Sequence, residues 1–573
     1  MNDTTATPSH RAPQEVMDLP SLGLAAAAAA IRKGEITSEA YTSALLLRAR
    51  TLAELKAFIK IDEAVVLTAA RDADKARAAG SAVPLLGVPL GVKDSYLTKG
   101  LPTSLGLGCL AHFVPHEDAD AVRAIKDAGA FVFGKNNLVE MSYGLTGHNA
   151  RYGQVKNPHA RGRVSGGSSS GSAASVAAGL VPASLGGDTV GSIRVPASFC
   201  GVVGFKPTTG RWPRNGVAPI SHTLDTTGAF ARSVEDCVLL DHVVTGEQAA
   251  EFSDGRDLKG VRLAFAPRQF LELVDSEVET RFLEVVRRLQ DAGAEIVEVD
   301  LGNDFNVLVQ TATWGIFAHE TMGAISEFLR RHDIPTTFEA IYDGLKPQLR
   351  QAWGHIVLPG GAGAPSVEAY QSALNVSRPE IQRRLDTAFV ARGAQAILQP
   401  TTPCTAPLIE EQATVHIAGQ DVSYLALANH TVSASSVGMP GINLPVGSSR
   451  AGLPIGLELD APLGSDRTLL VLARSRRYPG LQVDCDLTRP GCGQFVELSE
   501  DAIREGSQGG DTTAHRRCGI EVHAPRRHLC GRHCGDYGRG RPDQRGLFSA
   551  LRVQGRACSR GAGERAGGPA ALP

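Results

Sequence analysis

The 573-residue sequence has no apolar stretch long enough to span a bilayer. The run from Leu22 to Ile31 is short and Ala-rich, and it follows Asp3, Glu15 and Asp18 rather than a basic segment. It reads as a helix, not as a signal peptide. Neither sign of charge is in excess: 58 Lys and Arg stand against 60 Asp and Glu, a formal net charge of -2. That balance points to no nucleic acid and no membrane surface as partner. Aromatic residues are few, at 5%. Hydrophobic residues at 43% and charged residues at 21% are nevertheless ordinary globular usage, which excludes a disordered, collagenous or coiled-coil chain. Cysteine is sparse over most of the chain, with only Cys109, Cys200, Cys237 and Cys404 before residue 478. Such usage suits a reducing compartment, and a cytoplasmic location is expected.

The other six cysteines, Cys485, Cys492, Cys518, Cys530, Cys534 and Cys558, fall at the C-terminal end. From about Tyr478 lysine is absent, arginine occurs 14 times and apolar periodicity fades. Residues 478–573 read as an irregular Arg/Gly/Cys-rich tail, disordered or translated out of frame. His528, Cys530, His533 and Cys534 match no common paired-knuckle zinc spacing, so no metal is expected.

Before the tail, helical and strand-like patterns alternate. Residues 15–80 are helical in pattern, with Thr37 placed to cap one helix and the segment from Asp62 ending at Gly80. Residues 84–94 form an apolar, Gly/Pro-punctuated strand that delivers Lys93. A helix from Ala119 to Gly129 precedes the short strand Ala130 to Phe133. Helical periodicity returns at 278–294 and strand character at Ala294 to Val299, while 303–385 is helix-rich. Strands are expected at Ala396 to Pro400 and Gly441 to Pro445, with a helix from Asp466. The fold class is α/β: a large, mixed, mostly parallel sheet with helices on both faces, in a single large domain.

The chemistry concentrates in Gly/Ser-rich loops around residues 165–171 and 186–196. Such loops let backbone N–H groups approach a phosphate or a developing oxyanion. A phosphate loop needs a Lys after its second Gly, and none follows Gly171. Gly167 to Gly171 also fits G-x-S-x-G formally, but Gly162 to Gly167 is a poor strand to precede a nucleophile elbow. Taken alone, the stretch reads as a connecting loop.

Taken together, several segments resemble the amidase signature family. They are Gly87-Val-Pro-Leu-Gly-Val-Lys-Asp94, Gly166-Gly-Ser-Ser-Ser-Gly-Ser172, Asp188-Thr-Val-Gly-Ser-Ile-Arg-Val-Pro196 and the continuation from Ser198 to Arg211. Phe133 to Asn137, Asn157-Pro158, Leu224-Asp-Thr-Thr-Gly228, Val437 to Pro445 and Gly452 to Gly456 extend the likeness over roughly Leu19 to Arg474. Phe205 to Pro213 and Pro219 to Gly228 look closest to indoleacetamide and mandelamide hydrolases. The resemblance implies an amidase domain at 19–477 after a flexible 1–18. Within it lie N-terminal helices at 19–80, a catalytic core at 81–240, a variable helical substrate region at 300–385 and closing strands at 395–477.

The resemblance also implies a catalytic set: Lys93 as base, Ser168 as a relay after a cis peptide bond, and Ser192 as nucleophile. A serine hydroxyl needs a base, and burial lowers a lysine pKa enough for it to serve near neutral pH. The backbone N–H groups of Thr189, Val190, Gly191 and Ser192 would face the carbonyl oxygen. Gly167 eases the turn into Ser168, and Asp188 with Arg194 is expected to form an ion pair that supports the loop. Val190 stands where the family usually has Gly, so a narrower acyl pocket or a re-aimed donor is expected. His148 and His222 read as polar or pocket-lining residues. Trp314, Phe317, Met322 and Trp353 are apolar candidates for lining the pocket, with core packing the alternative role for each.

The implied reaction is hydrolysis of a small primary arylacetamide to carboxylate and ammonia, with no cofactor. The partner is then a small-molecule amide, and a homodimer is left open. A second reading is the A component of a tRNA-dependent glutamine-forming amidotransferase, where a Gln usually follows Ser-Ile-Arg in place of Val195. A third is a catalytically idle protein of the same fold.

Overall fold

The computed structural model describes residues 18–249 and 258–474, all within the first of the two units into which the chain divides, Met1–Val483. The expectations for residues 1–17 and for the tail lie outside the described residues. So do those for Cys485, Cys492, Cys518, Cys530, Cys534, Cys558, His528 and His533.

Thirteen strands occur among the described residues. They are β1 (Phe58–Lys60), β2 (Pro89–Lys93), β3 (Phe131–Asn136), β4 (Ala183–Asp188), β5 (Val203–Lys206), β6 (Thr226–Ala231) and β7 (Arg262–Phe265), followed by β8 (Glu295–Glu298), β9 (Ala396–Pro400), β10 (Thr414–Ile417), β11 (Gln420–Ser423), β12 (Gly441–Ser448) and β13 (Pro454–Asp460). Eleven build one mixed sheet in the order β1-β3-β2-β4-β6-β5-β12-β13-β9-β7-β8, and β10 with β11 forms a separate hairpin. Pairing is parallel for β3–β2–β4 on one flank and for β9–β7–β8 on the other, and antiparallel from β4 to β9.

Side chains along β7 and β9 divide between two cores, as strand alternation requires. Leu263, Phe265, Ala396 and Leu398 join one cluster with the N-terminal helices. Ala264, Ala266 and Ile397 join a second, with the helices of 305–357. Thr37 caps the helix Ser38–Thr51 by accepting from Ala40 N at 3.0 Å. The helix Glu63–Ala78 stops just before Gly80, whose φ of 92° suits glycine.

The strand expected over 84–94 is confined to Pro89–Lys93, all five of whose residues are buried. Topology then gathers one edge. β2 and β4 run parallel, with Val92 opposite Leu185, so both C-terminal ends open on the same side. β6 runs antiparallel to β4, with Asp188 opposite Thr226. Its first residue, and Asp225 before it, therefore start at that same edge. Crevices beyond the carboxyl ends of strands are where α/β sheets hold ligands.

Candidate active site

Lys93 closes β2 and is 1% exposed. Its Nζ lies 2.9 Å from Ser168 Oγ. Ser168 is fully buried, follows a cis Gly167–Ser168 peptide bond and stands just ahead of the helix Ser170–Ala177. Burial pushes the lysine pKa down from 10.5 to about 7, against the opposing pull of Asp188 and Asp225. A neutral amine at this distance accepts the Ser168 proton, whereas a protonated one donates to its oxygen.

Ser192 lies in the short turn between β4 and the helix Arg194–Cys200 and is 5% exposed. The two serine loops are joined through the backbone, Ser169 N–H donating to Ser192 O at 3.4 Å. Among the described residues, the hydroxyls of Ser168 and Ser192 share no direct hydrogen bond, and none of the N–H groups of residues 189–192 has an acceptor within the protein. These amides follow directly on β4, whose ladder ends at Asp188, and are left available to a ligand oxygen.

The loop is anchored by charge. Arg194 donates to Asp188 through Nε at 3.1 Å and Nη2 at 3.0 Å, and to Glu458 through Nη1 at 2.5 Å. Asp188 also accepts from Ile193 N at 3.1 Å. Burial alone would raise the Asp188 pKa, but the Arg194 guanidinium holds it below the usual carboxylate range. Gly191 carries a φ of 142°, outside the range of ordinary L-residues, and a Cβ there would collide with the Thr431 hydroxyl. The positive φ falls on Gly191 and not on Val190, whose side chain packs into the second core at 4% exposure and does not line the cavity.

A cavity of about 230 Å³ opens on this edge. Lys93, Ser168, Asp188 and Thr189 line it, whereas Gly191 and Ser192 are not among its lining residues. Its volume is below the roughly 300–1,000 Å³ of drug-sized sites.

The Amidase family model matches residues 40–470. The mandelamide hydrolase of Pseudomonas putida is 36% identical over 79% of this chain and 90% of its own length. An indoleacetamide hydrolase of Allorhizobium ampelinum is 31% identical over 78% and 95%. The A component of the glutamyl-tRNA(Gln) amidotransferase of a Roseiflexus species is 35% identical over 79% and 95%. Among solved structures, a crystal structure of an amidase superposes with a TM-score of 0.70 at 31% identity, covering 79% of this chain and 99% of that one. The chain belongs to the amidase family. It is a hydrolase acting on amide C–N bonds.

None of the four apolar residues singled out in the sequence lines this cavity. Trp353 and Phe317 are buried in the second core, and Trp314 and Met322 pack against it. The long helix Phe305–Arg331 instead presents Ala324 and Phe328 to the cavity, which Val217 and Ile220 from the loop before β6 also line. His222 lines the cavity and lies 3.4 Å from Glu327, whereas His148 is held by Lys346, which donates to its carbonyl oxygen at 2.8 Å. Arg214 and Asp225 also line the cavity. Sequence reasoning passed over both, although Asp225 lies inside the Leu224 to Gly228 segment. Among the described residues, no cluster of three or more His, Cys, Asp or Glu is arranged to hold a metal ion, and no helix is long and apolar enough to cross a membrane.

Proposed function

We propose that this amidase hydrolyses a small primary arylacetamide to a carboxylate and ammonia, with Ser192 as nucleophile, Ser168 as proton relay and Lys93 as base. Ser192 Oγ attacks the carbonyl carbon while its proton passes to Ser168 Oγ, whose own proton passes to Lys93 Nζ. The carbonyl oxygen, now negative, is received by the amides of residues 189–192, each such donor being worth about 2.7–4 kcal/mol in the transition state. The relay then runs backwards. Lys93 returns a proton through Ser168 to the amide nitrogen, the C–N bond breaks, and ammonia leaves an acyl ester on Ser192. Water attacks that ester with the same base and frees the carboxylate and the serine.

The observation that carries this reading is the 2.9 Å contact between Lys93 Nζ and Ser168 Oγ on the wall of a partly apolar cavity. Hydroxyl-to-hydroxyl contacts in unliganded sites commonly tighten only when substrate fills them, so Ser192 completes the relay on binding. The apolar side chains of Val217, Ile220, Ala324 and Phe328 favour an aryl group over a charged one. The names of the mandelamide and indoleacetamide relatives support the same class. The decisive measurement is ammonia release by the purified protein alone from phenylacetamide, mandelamide, indoleacetamide and aliphatic primary amides. Turnover of the aryl members, lost in Ser192→Ala and cut by several orders of magnitude in Lys93→Ala, supports the assignment. Substantial turnover by Ser192→Ala defeats it.

The amidotransferase relative favours a second reading, a component that acts only with partner chains. Val195 is fully buried among apolar side chains and offers no polar group at the position where that component usually carries Gln. Ammonia release that depends on added partner chains would favour this alternative.

A further inference from the structure

The turn that carries Ser192 is gripped from two sides. Thr431 donates to the carbonyl oxygen of Val190 at 2.5 Å. On the other side, the Thr189 hydroxyl donates to Asp225 Oδ1 at 2.7 Å. The second oxygen of that carboxylate accepts the backbone N–H groups of Ile220 at 2.7 Å and Ser221 at 2.9 Å. Ile220 and Ser221 belong to the cavity wall. The far end of this wall is tied in turn to the long helix, where Glu320 accepts from Ser221 Oγ, from Thr223 N at 3.0 Å and from Thr223 Oγ1 at 2.6 Å. One carboxylate thus spans the gap between the loop that would receive the oxyanion and the wall that would face the acyl group.

Resting on the function proposed above, we propose that Asp225 is a positioning residue for the hydrolysis, fixing the Thr189–Ser192 turn against the acyl wall so that its amides keep their aim. The carboxylate accepts all three bonds. An asparagine at 225 can keep them, its oxygen accepting both wall amides and its NH2 donating to the Thr189 hydroxyl, which accepts as well as donates, whereas an alanine keeps none. Asp225 has a second effect that Thr189 lacks. It is one of two carboxylates, with Asp188, that favour a proton on Lys93. Asp188 stays paired with Arg194 whether or not Asp225 is charged. Arg214 and Tyr143 face Asp225. Glu327, Arg331 and His332 from the long helix and His222 from the wall also line the cavity. Tyr143 feels the Asp225 charge, but burial keeps its hydroxyl neutral with or without it. Removing the Asp225 charge therefore lets burial dominate Lys93 further, and the neutral base persists to lower pH.

The experiment compares Asp225→Ala, Asp225→Asn and Thr189→Val with the native protein and Ser192→Ala, using ammonia release from phenylacetamide across pH 5–9. Fold is checked by circular dichroism. Asp225→Ala breaks the bridge, and Asp225→Asn removes the charge alone. Asp225→Ala and Thr189→Val are expected to lose roughly 10²-fold in kcat, the scale of a misaimed oxyanion donor, with KM changed much less, whereas Asp225→Asn keeps most of kcat. Both variants at 225 move the acid limb of kcat/KM to lower pH, and Thr189→Val does not. A folded Asp225→Ala or Thr189→Val with native kcat overturns the inference, as does an unmoved limb in Asp225→Asn. If Asp225→Ala does not fold, Thr189→Val decides alone: a kcat loss supports the bridge and native kcat overturns it. An active Ser192→Ala would instead overturn the underlying function, whatever the variants at 225 and 189 do.

Discussion

Replacing Lys93 by methionine should raise stability while abolishing turnover. Lys93 is buried, and Ser168 is the side chain that partners its amine. In the unfolded chain this amine has its ordinary pKa of 10.5, whereas burial brings it to about 7 in the folded protein. Between those values the unfolded chain binds more protons than the folded one, so the contribution of this group to stability rises with pH across the window. Below about pH 7 its full cost is present, and above about 10.5 the cost is gone. Near pH 7 the cost is on the order of 4 kcal/mol. Methionine, of similar length and uncharged, removes that cost together with one hydrogen bond worth about 1 kcal/mol. The variant should therefore be more stable than the native protein by on the order of 3 kcal/mol at pH 7, with a gap that shrinks toward pH 10. Urea unfolding followed by circular dichroism at pH 7 and at pH 9.5 reads the gap, and ammonia release reads the activity. A variant less stable than the native protein at pH 7, or a gap that widens with pH, would refute the reasoning.

The native kcat/KM should climb through a midpoint near pH 7, because only the neutral Lys93 accepts a proton; a midpoint near 9 or above would show an unburied base. Gly191→Ala places a Cβ against Thr431 at a φ of 142° and should lower kcat by roughly 10²-fold with little change in KM, measured by steady-state kinetics. Arg194→Met leaves Asp188 and Glu458 buried without their shared cation and should cost about 3–5 kcal/mol in urea unfolding. Phe328→Ala strips an apolar face from the cavity and should raise KM for aryl amides about tenfold, while leaving aliphatic amides nearly unaffected.

What could be read in the sequence, and what could not, follows from how each feature is encoded. The strand that ends at Lys93 is a short apolar run between turn residues, and local pattern suffices for it. β4, with the sequence Ala-Ser-Leu-Gly-Gly-Asp, shows no alternation because both of its faces are covered, and β5 and β6 are similarly small and buried. Composition hides such strands among loops. Lys93 and Ser168 are 75 positions apart, and nothing local joins them; only likeness to a known family placed them together. The helical region 303–385 does line the cavity, but which of its residues do so was not legible. The helix Phe305–Arg331 is covered on more than one side, so apolar residues ring it, and richness in aromatics does not tell which stripe faces the cavity. Ala324 and Phe328 line it at a spacing of four, and Phe328 also packs into the second core beside Phe317 and Ile325.

That division bears on specificity. Relatives named for mandelamide hydrolysis and for amidotransfer match this chain at 36% and 35% identity over similar lengths, so overall likeness does not discriminate between the two activities. In the proposed mechanism the segment from Lys93 to Arg194 supplies groups that any amide would need: a base, hydroxyls and free amides. Discrimination has to come from surfaces that touch the acyl group. On the function proposed above these are the 217–222 wall and one stripe of the long helix, which line the cavity and are joined by Glu320. Because the wall is also joined to the Thr189 turn through Asp225, a change that reshapes the acyl site also disturbs the aim of the oxyanion donors. Substrate selection and rate should therefore shift together when the wall is altered, and separately when only Phe328 is.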